Sequence, residues 1–285
     1  MILITGAGGK TGHAIIKALA KYNVPIKALV RHIDQVNPLL SVGVAQVSVG
    51  NMLDPAFING AFEGIQSVYH ICPNMCPDEL SMAEIAINAA RSAGVAHFVY
   101  HSVLHPQVEL MPHHWLKMRV EERLFTSGLP FTILQPAPYM QNVMGYWDKI
   151  NILGEYALPY AITTRLSMVD IEDVAWAAAN VLTNPIHMNS IYELCGPEAL
   201  TQQEAAEVIS DSLGRKVKAI VLDRNEWKNA ALQHKMPEYS IETLLKMFIY
   251  YEQFGLVGSS QVLGWLLGRP PHRFCEFLSK LIKGD

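Results

Sequence analysis

Residues 1–19 read MILITGAGGKTGHAIIKAL, and two phosphate-binding readings overlap in them. Gly9-Lys10-Thr11 matches the tail of a nucleoside-triphosphate loop. Gly6, Gly9 and Gly12 match the Gly-x-x-Gly-x-x-Gly of a dinucleotide loop. The triphosphate loop needs a further glycine five residues before the one that precedes Lys-Thr. That position holds Ile4, inside an apolar run that reads as a strand. The dinucleotide reading fits better. Met1–Thr5 is a short buried strand, Gly6 makes the tight turn, Gly9 lets the backbone approach a pyrophosphate, and Gly12 lets the next helix pack close. That helix, roughly His13–Lys21, aims its N-terminal N–H groups at the phosphates.

Outward from this loop the chain alternates strand and helix. Ile26–Val30, Ala45–Val49, Ser67–Cys72, His97–Ser102 and Phe131–Gln135 read as the second to sixth strands. Between them lie a short helix at Asp54–Phe62, capped by its aspartate, and longer ones at Pro77–Ala93 and His113–Ser127. Gly94 and Gly128 stop the two longer helices. Short links between β–α repeats predict an α/β fold: a Rossmann-type, doubly wound parallel sheet covered on both faces. Residues 137–164 carry little periodicity. Beyond them lie a helix at Asp170–Leu182, a strand at Ser190–Leu194, a helix at Thr201–Leu213 with a Thr201/Glu204 capping box, and a strand at Lys216–Leu222. We therefore expect a dinucleotide-binding domain over 1–150, with returns to it from about 165–195. A smaller C-terminal α/β substrate lobe is expected over 151–285.

The chain has 285 residues, half of them hydrophobic, enough for a large core. A net charge of -4 gives no electrostatic case for nucleic acid. No apolar run approaches the ~20 residues of a membrane span, and the first residues read as a strand rather than a leader. A cytoplasmic monomer or homodimer is expected. The four cysteines are scattered, and Cys72/Cys76 has neither redox nor zinc spacing. His113 and His114 are adjacent, so on a helix they diverge and suit one metal poorly. No metal is expected.

Cofactor choice is read where the second strand ends. An acid there binds the ribose 2′-hydroxyl, whereas a basic residue accepts a 2′-phosphate. This chain places Arg31-His32 there, and the fixed guanidinium suits a phosphate. Lys10 adds a second charge from within the loop. NADPH is expected over NADH. Asn51, after the third strand, offers a side-chain amide to the adenine edge.

The stretches ITGAGGKTG, ALVR, VGNMLDP, AGVAHFVYHS, HHWLKMRVEERLFTSGLPFTILQPAPYMQN and SMVDIEDVAWAAANVL together resemble the NmrA-like family of atypical short-chain dehydrogenase/reductases. The resemblance spans most of residues 1–182, and the later IYELCGPEALTQQEAA also fits. It implies either an NAD(P)H-dependent reductase of quinones, azo dyes or triarylmethane dyes, or a regulator that binds NADP(H) without chemistry. It places the cofactor on Gly6, Gly9, Lys10, Thr11, Gly12, Arg31, Asn51, Met52, Cys72, Pro73, Lys117 and Pro136.

One departure bears on the chemistry. The superfamily's usual Tyr-x-x-x-Lys keeps its lysine here as Lys117, expected at the nicotinamide ribose, but His113 stands in the tyrosine's place. His113 reads either as a proton donor or as a solvated helix start. An acceptor that takes a hydride and draws its proton from water suits this pattern, which points to a small planar aromatic substrate. Tyr139, Met140, Asn142 and Trp147, after the sixth strand, are its expected contacts, with Ser102 at the end of the fifth. No flavin is expected.

Overall fold

The computed structural model describes residues 1–284. The chain opens with β1 (Ile2–Ile4), α1 (Lys10–Leu19), β2 (Ile26–Val30), α2 (Val36–Ser41), β3 (Gln46–Val49), α3 (Pro55–Phe62) and β4 (Ser67–His70). It continues through α4 (Glu79–Ser92), β5 (His97–His101), α5 (Pro112–Phe125), β6 (Phe131–Pro136), α6 (Trp147–Leu153), β7 (Glu155–Leu158) and β8 (Arg165–Ser167). There follow α7 (Ile171–Thr183), β9 (Ser190–Leu194), β10 (Ala199–Thr201), α8 (Gln202–Leu213) and β11 (Lys218–Val221). The last helices are α9 (Arg224–Gln233), α10 (Glu238–Phe254), α11 (Gln261–Leu267) and α12 (Phe274–Lys283).

Seven strands form one sheet in the order β3-β2-β1-β4-β5-β6-β9, and the pairs from β3 through β6 are parallel. The order reverses beside β1, the topological switch point that the doubly wound fold predicts. Every residue of β1, β2, β4 and β5 is buried, as strands covered on both faces require. One cluster joins Leu3, Val68, Phe98 and Ile133 of the strands to Ile58, Phe62, Ala86, Ile87 and Val120 of α3, α4 and α5. The expected punctuation is present. Asp54 accepts from the N–H groups of Ala56 and Phe57, and Gly94 and Gly128 stop α4 and α5 at φ +67° and +75°.

By compactness the chain forms two units. The first comprises 1–107, 114–135 and 174–192, and the second 108–113, 136–173 and 193 onward. In the second, β7 pairs with β11 in parallel, and β8 pairs with β10 antiparallel. The Thr201/Glu204 capping box closes both of its hydrogen bonds, at 3.1 and 2.8 Å.

Several local expectations are corrected. The first helix starts at Lys10 rather than near His13, because the turn tightens immediately after Gly9. The fourth helix starts at Glu79 rather than Pro77. α2 is an additional element, masked in the sequence by Pro38. That proline lies in the first turn, where its missing N–H is not needed. Residues 137–164 are more regular than their pattern suggests. They contain a 3-10 segment at Met140–Tyr146, α6 and β7. β8 and β10 are three residues each, too short to show a period.

Candidate functional site

The glycine loop joins β1 to α1, and its three glycines do different work. Gly6 turns at φ +60°, where an added Cβ would also sit 3.0 Å from the Ile71 carbonyl oxygen. At Gly12 an added Cβ would lie 2.6 Å from the Gly6 oxygen and 2.7 Å from the Ala7 Cα, so the helix can pack here only without a side chain. At Gly9 the sole neighbour of such a Cβ would be the Gly6 oxygen at 3.4 Å, an ordinary contact. Gly9 is exposed and is the N-cap of α1, and no side chain caps that helix end. The result is an open backbone surface at the positive end of a ten-residue helix, beside exposed Lys10. This is the cradle that a pyrophosphate requires, and the residues fit a dinucleotide.

The ends of β2 and β3 supply the charge and the rim. Arg31 is exposed directly after Val30, and its positive field reaches the Cys76 thiol, which burial nevertheless holds above its usual value. The next turn is fastened to the loop. Gln35 accepts from the His32 N–H at 3.1 Å, and its amide lies against the face of Gly8. Asn51 is exposed, and its Oδ1 accepts from the Leu53 N–H at 3.0 Å, so its side-chain NH₂ is the part left to a ligand. Met52 packs into the apolar cluster, so its side chain faces the core. Pro73 is exposed after β4, and Thr11 is half-buried in the first turn of α1.

Behind β4 and β5 lies a buried polar cluster. Lys117, only 5% exposed, donates from Nζ to Glu79 Oε1 at 2.8 Å and to the His101 carbonyl oxygen at 3.0 Å. Tyr100 donates its hydroxyl to the same Glu79 oxygen at 2.8 Å. Lys117 Nζ also stands 5.3 Å from the Tyr100 ring centroid. Cys72 Sγ lies 3.4 Å from His70 Nε2 and 3.7 Å from the Glu79 carbonyl oxygen. Burial pushes the Cys72 thiol well up and holds His70 at about 3, so this pair is neither thiolate nor imidazolium near neutral pH. His101 hydrogen-bonds Tyr69 at 2.8 Å and is likewise lowered by burial to about 3. Ser102 donates inward to Glu121 at 2.5 Å, and Gln135 holds both oxygens of that carboxyl, which burial raises.

His113 and His114 are both buried in the first turn of α5, and burial lowers His114 to about 4. His113 is therefore not the solvated helix start that the sequence allowed. Glu79, Tyr100, His101 and Glu121 drew no attention in the sequence. An acid opening a helix reads as a cap, and a tyrosine or histidine within an apolar strand reads as core.

The remaining expected contacts lie in the second unit. Tyr139 is half-buried and forms a backbone bridge with Val169. Met140 is 1% exposed, and its Cε lies beneath Gly196, so its side chain is core. Asn142 is exposed, Trp147 is half-buried at the start of α6, and Pro136 is buried at the end of β6. None of these lines an open groove of about 470 Å³ in that unit, formed by Glu109, Leu110, Pro112 and one face of α10. Tyr250 and Phe254 do line it, with ring centroids 4.9 Å apart.

Among the described residues, one group has the spacing of metal ligands: Asp170, Glu172 and His272. Its oxygens are already engaged. Asp170 accepts from Gln141 at 2.7 Å and lies 3.0 Å from His272 Nδ1, while Glu172 pairs with Lys280 at 2.8 Å.

The family model for the NmrA-like family matches residues 1–272. The chain belongs to the NmrA-like family. Among relatives of this NmrA-like chain, the NAD(P)H azoreductase of Xenophilus azovorans is 30% identical over 279 residues, covering 97% of this chain and 96% of the relative. The NADPH-dependent quinone oxidoreductase of Escherichia coli, solved with NADPH, superposes with a TM-score of 0.88 at 27% identity, covering 99% of this chain and 100% of the other. The triphenylmethane reductase of Citrobacter sp. superposes at 0.86 with 26% identity, covering 100% and 99%. Among the described residues no helix is long and apolar enough to cross a membrane.

Proposed function

We propose that this chain is an NADPH-dependent, flavin-independent reductase that passes hydride to a quinone-like, azo or imine-type aromatic acceptor. The observation that carries the reading is the open Gly9 face at the uncapped start of α1, with exposed Arg31 at the neighbouring strand end. Gly6, Gly9 and the first turn of α1 hold the pyrophosphate, and Arg31 with Lys10 neutralises the 2′-phosphate. Asn51 addresses the adenine edge through its NH₂. Lys117 anchors the nicotinamide ribose. Once bound, the reduced nicotinamide is the hydride source.

The acceptor class follows from what the helix lacks. His113 replaces the usual tyrosine acid and is buried. A ketone develops alkoxide charge that needs a strong local donor. A quinone takes up hydride to a delocalised hydroquinone anion and then gains its proton from water, and a cationic dye becomes neutral on taking hydride and needs no proton at all. Relatives that act on azo compounds, quinones and triphenylmethane dyes support the same class.

The test is NADPH oxidation followed spectrophotometrically against a panel of quinones, azo dyes and imines, with no flavin added. Turnover with at least one member, faster with NADPH than with NADH, is expected. Tight NADP⁺ binding with no turnover on any of them would instead establish a non-catalytic sensor.

A further inference from the structure

Glu79 is the most completely enclosed carboxylate in the polar cluster, at 0% exposure, and its placement bears on Lys117. Its Oε1 receives two strong donors, Lys117 Nζ and the Tyr100 hydroxyl, each at 2.8 Å. Its Oε2 is buried and has no hydrogen-bond partner among the described residues. Lys117 carries three N–H donors, of which Glu79 and the His101 carbonyl take two. The pair thus keeps one N–H and one buried carboxylate oxygen uncommitted. As a stability device this is poor. Removing two charges from water costs more than their attraction returns, and an apolar pair of similar volume is often neutral or better. Fixing one ammonium at one point is what such a pair does well.

We propose that Glu79 is a positioning residue for the cofactor site: it holds Lys117 in one place as a cation, so that its remaining N–H addresses the nicotinamide ribose. This rests on the assignment of Lys117 to that ribose. The groups around the pair leave it as the charged element. His70 and His101 sit at about 3 and His114 at about 4, lowered by burial, so all three are neutral at physiological pH. Burial holds Cys72, Cys76 and Tyr100 above their usual values, so these stay protonated. Glu121, also raised by burial, and His113, one helical turn before Lys117 on α5, are present in wild type and variant alike, so the difference between their profiles reports Glu79.

The experiment is calorimetric NADPH binding by wild type, Glu79→Gln and Lys117→Met between pH 6.5 and 9. Glu79→Gln keeps an acceptor oxygen but strips the counter-charge. A buried lysine without its partner loses its proton more readily, so its ribose contact weakens as pH rises. Wild type should show a flat profile. Glu79→Gln should lose about tenfold in affinity across the window, the difference between a charged and a neutral donor. Lys117→Met should be weak at every pH.

A folded Glu79→Gln with wild-type affinity and a flat profile, beside a weakened Lys117→Met, overturns the role of Glu79 and leaves the Lys117 assignment standing. Wild-type binding by Lys117→Met overturns both. If Glu79→Gln does not fold, Glu79→Asp decides. It keeps the charge but falls one methylene short, so a flat profile with several-fold weaker NADPH binding is expected, and unchanged affinity overturns the proposal.

Discussion

The turn from Gly6 to Lys10 and the cluster around Glu79 belong to the same unit, yet they treat polar groups in opposite ways. The turn leaves its backbone uncovered at Gly9, which is exposed: no side chain caps α1, and an added Cβ there would meet only one carbonyl oxygen. The cluster closes on itself, with a carboxylate at 0% exposure, a lysine at 5%, and histidines held neutral by burial. One region leaves fixed dipoles open at an uncapped helix start, and the other pairs its charges from within. An exposed dipole needs only local geometry. A buried charge needs partners assembled from several elements, because an unpaired charge there would be prohibitively costly.

The sharpest test of the open region uses two glycines to which the motif gives different tasks. Gly12→Val would drive a side chain into the Gly6 and Ala7 backbone, which cannot move aside as a side chain can. A loss of about 3 kcal/mol or more in urea unfolding is expected, at the upper end of overpacking penalties. Gly9→Val meets only the Gly6 oxygen, at ordinary contact distance from its Cβ, so its unfolding midpoint should stay near wild type while NADPH affinity falls about a hundredfold or more. Normal calorimetric binding by folded Gly9→Val would show that the open face is not the pyrophosphate site.

The closed region should betray itself in acid. His70 and His101 at about 3 and His114 at about 4, together with buried His97, at the opposite end of β5 from His101 and also at about 4, all lie below the ordinary histidine value near 6.5. Between those limits the unfolded chain binds protons that the folded chain refuses, so stability rises with pH and is lost as pH falls from 6.5 toward 4. Each such histidine contributes a slope of up to about 1.4 kcal/mol per pH unit. Urea titrations at pH 7, 6 and 5 should show a steep decline. His97→Gln should make it shallower, since that site hydrogen-bonds Thr132 at 2.8 Å without needing a charge. An unchanged slope in His97→Gln would remove that histidine from the account.

The same contrast explains what the sequence could say. The loop was legible because its logic spans a few residues: Gly6, Gly9 and Gly12 follow a strand and open a helix. The alternation of buried strands and helices gave the doubly wound sheet in the same way. Lys117 was legible only as a position resembling a family motif. Its partner Glu79 lies 38 residues earlier, and Tyr100 lies 21 residues from that glutamate. No local period links them: they sit on α4, β5 and α5, and only the packing of those elements brings them together. Met140 misled for a related reason. An apolar residue in an irregular run reads equally as ligand contact or as core, and tertiary packing made it core.

A smaller effect is expected at the rim of the open region. Arg31→Ala removes a guanidinium that only the 2′-phosphate can use. NADPH binding should weaken by about 1.5–3 kcal/mol, the range for hydrogen bonds to charged groups, with NADH little changed. Paired calorimetric titrations check this. Equal weakening of both cofactors would mean that Arg31 does not discriminate between them.

The smallest effect belongs to the residue that stands where an acid is usual. His113 sits in the first turn of α5, four residues before Lys117 and therefore on the same helical face, and it is only 6% exposed. If the acceptor takes its proton from water, His113→Ala should retain most of kcat with a quinone or azo acceptor at saturating NADPH, within about threefold. Lys117→Ala should instead raise the KM for NADPH. If His113 were the donor, its loss would remove the roughly 10²–10⁴-fold that general acid catalysis supplies, together with an ionisation in the pH–rate profile. A hundredfold fall in a well-folded His113→Ala would therefore place the acid inside the protein. It would also turn the contrast between the two regions around, because the reacting proton would then come from a buried histidine.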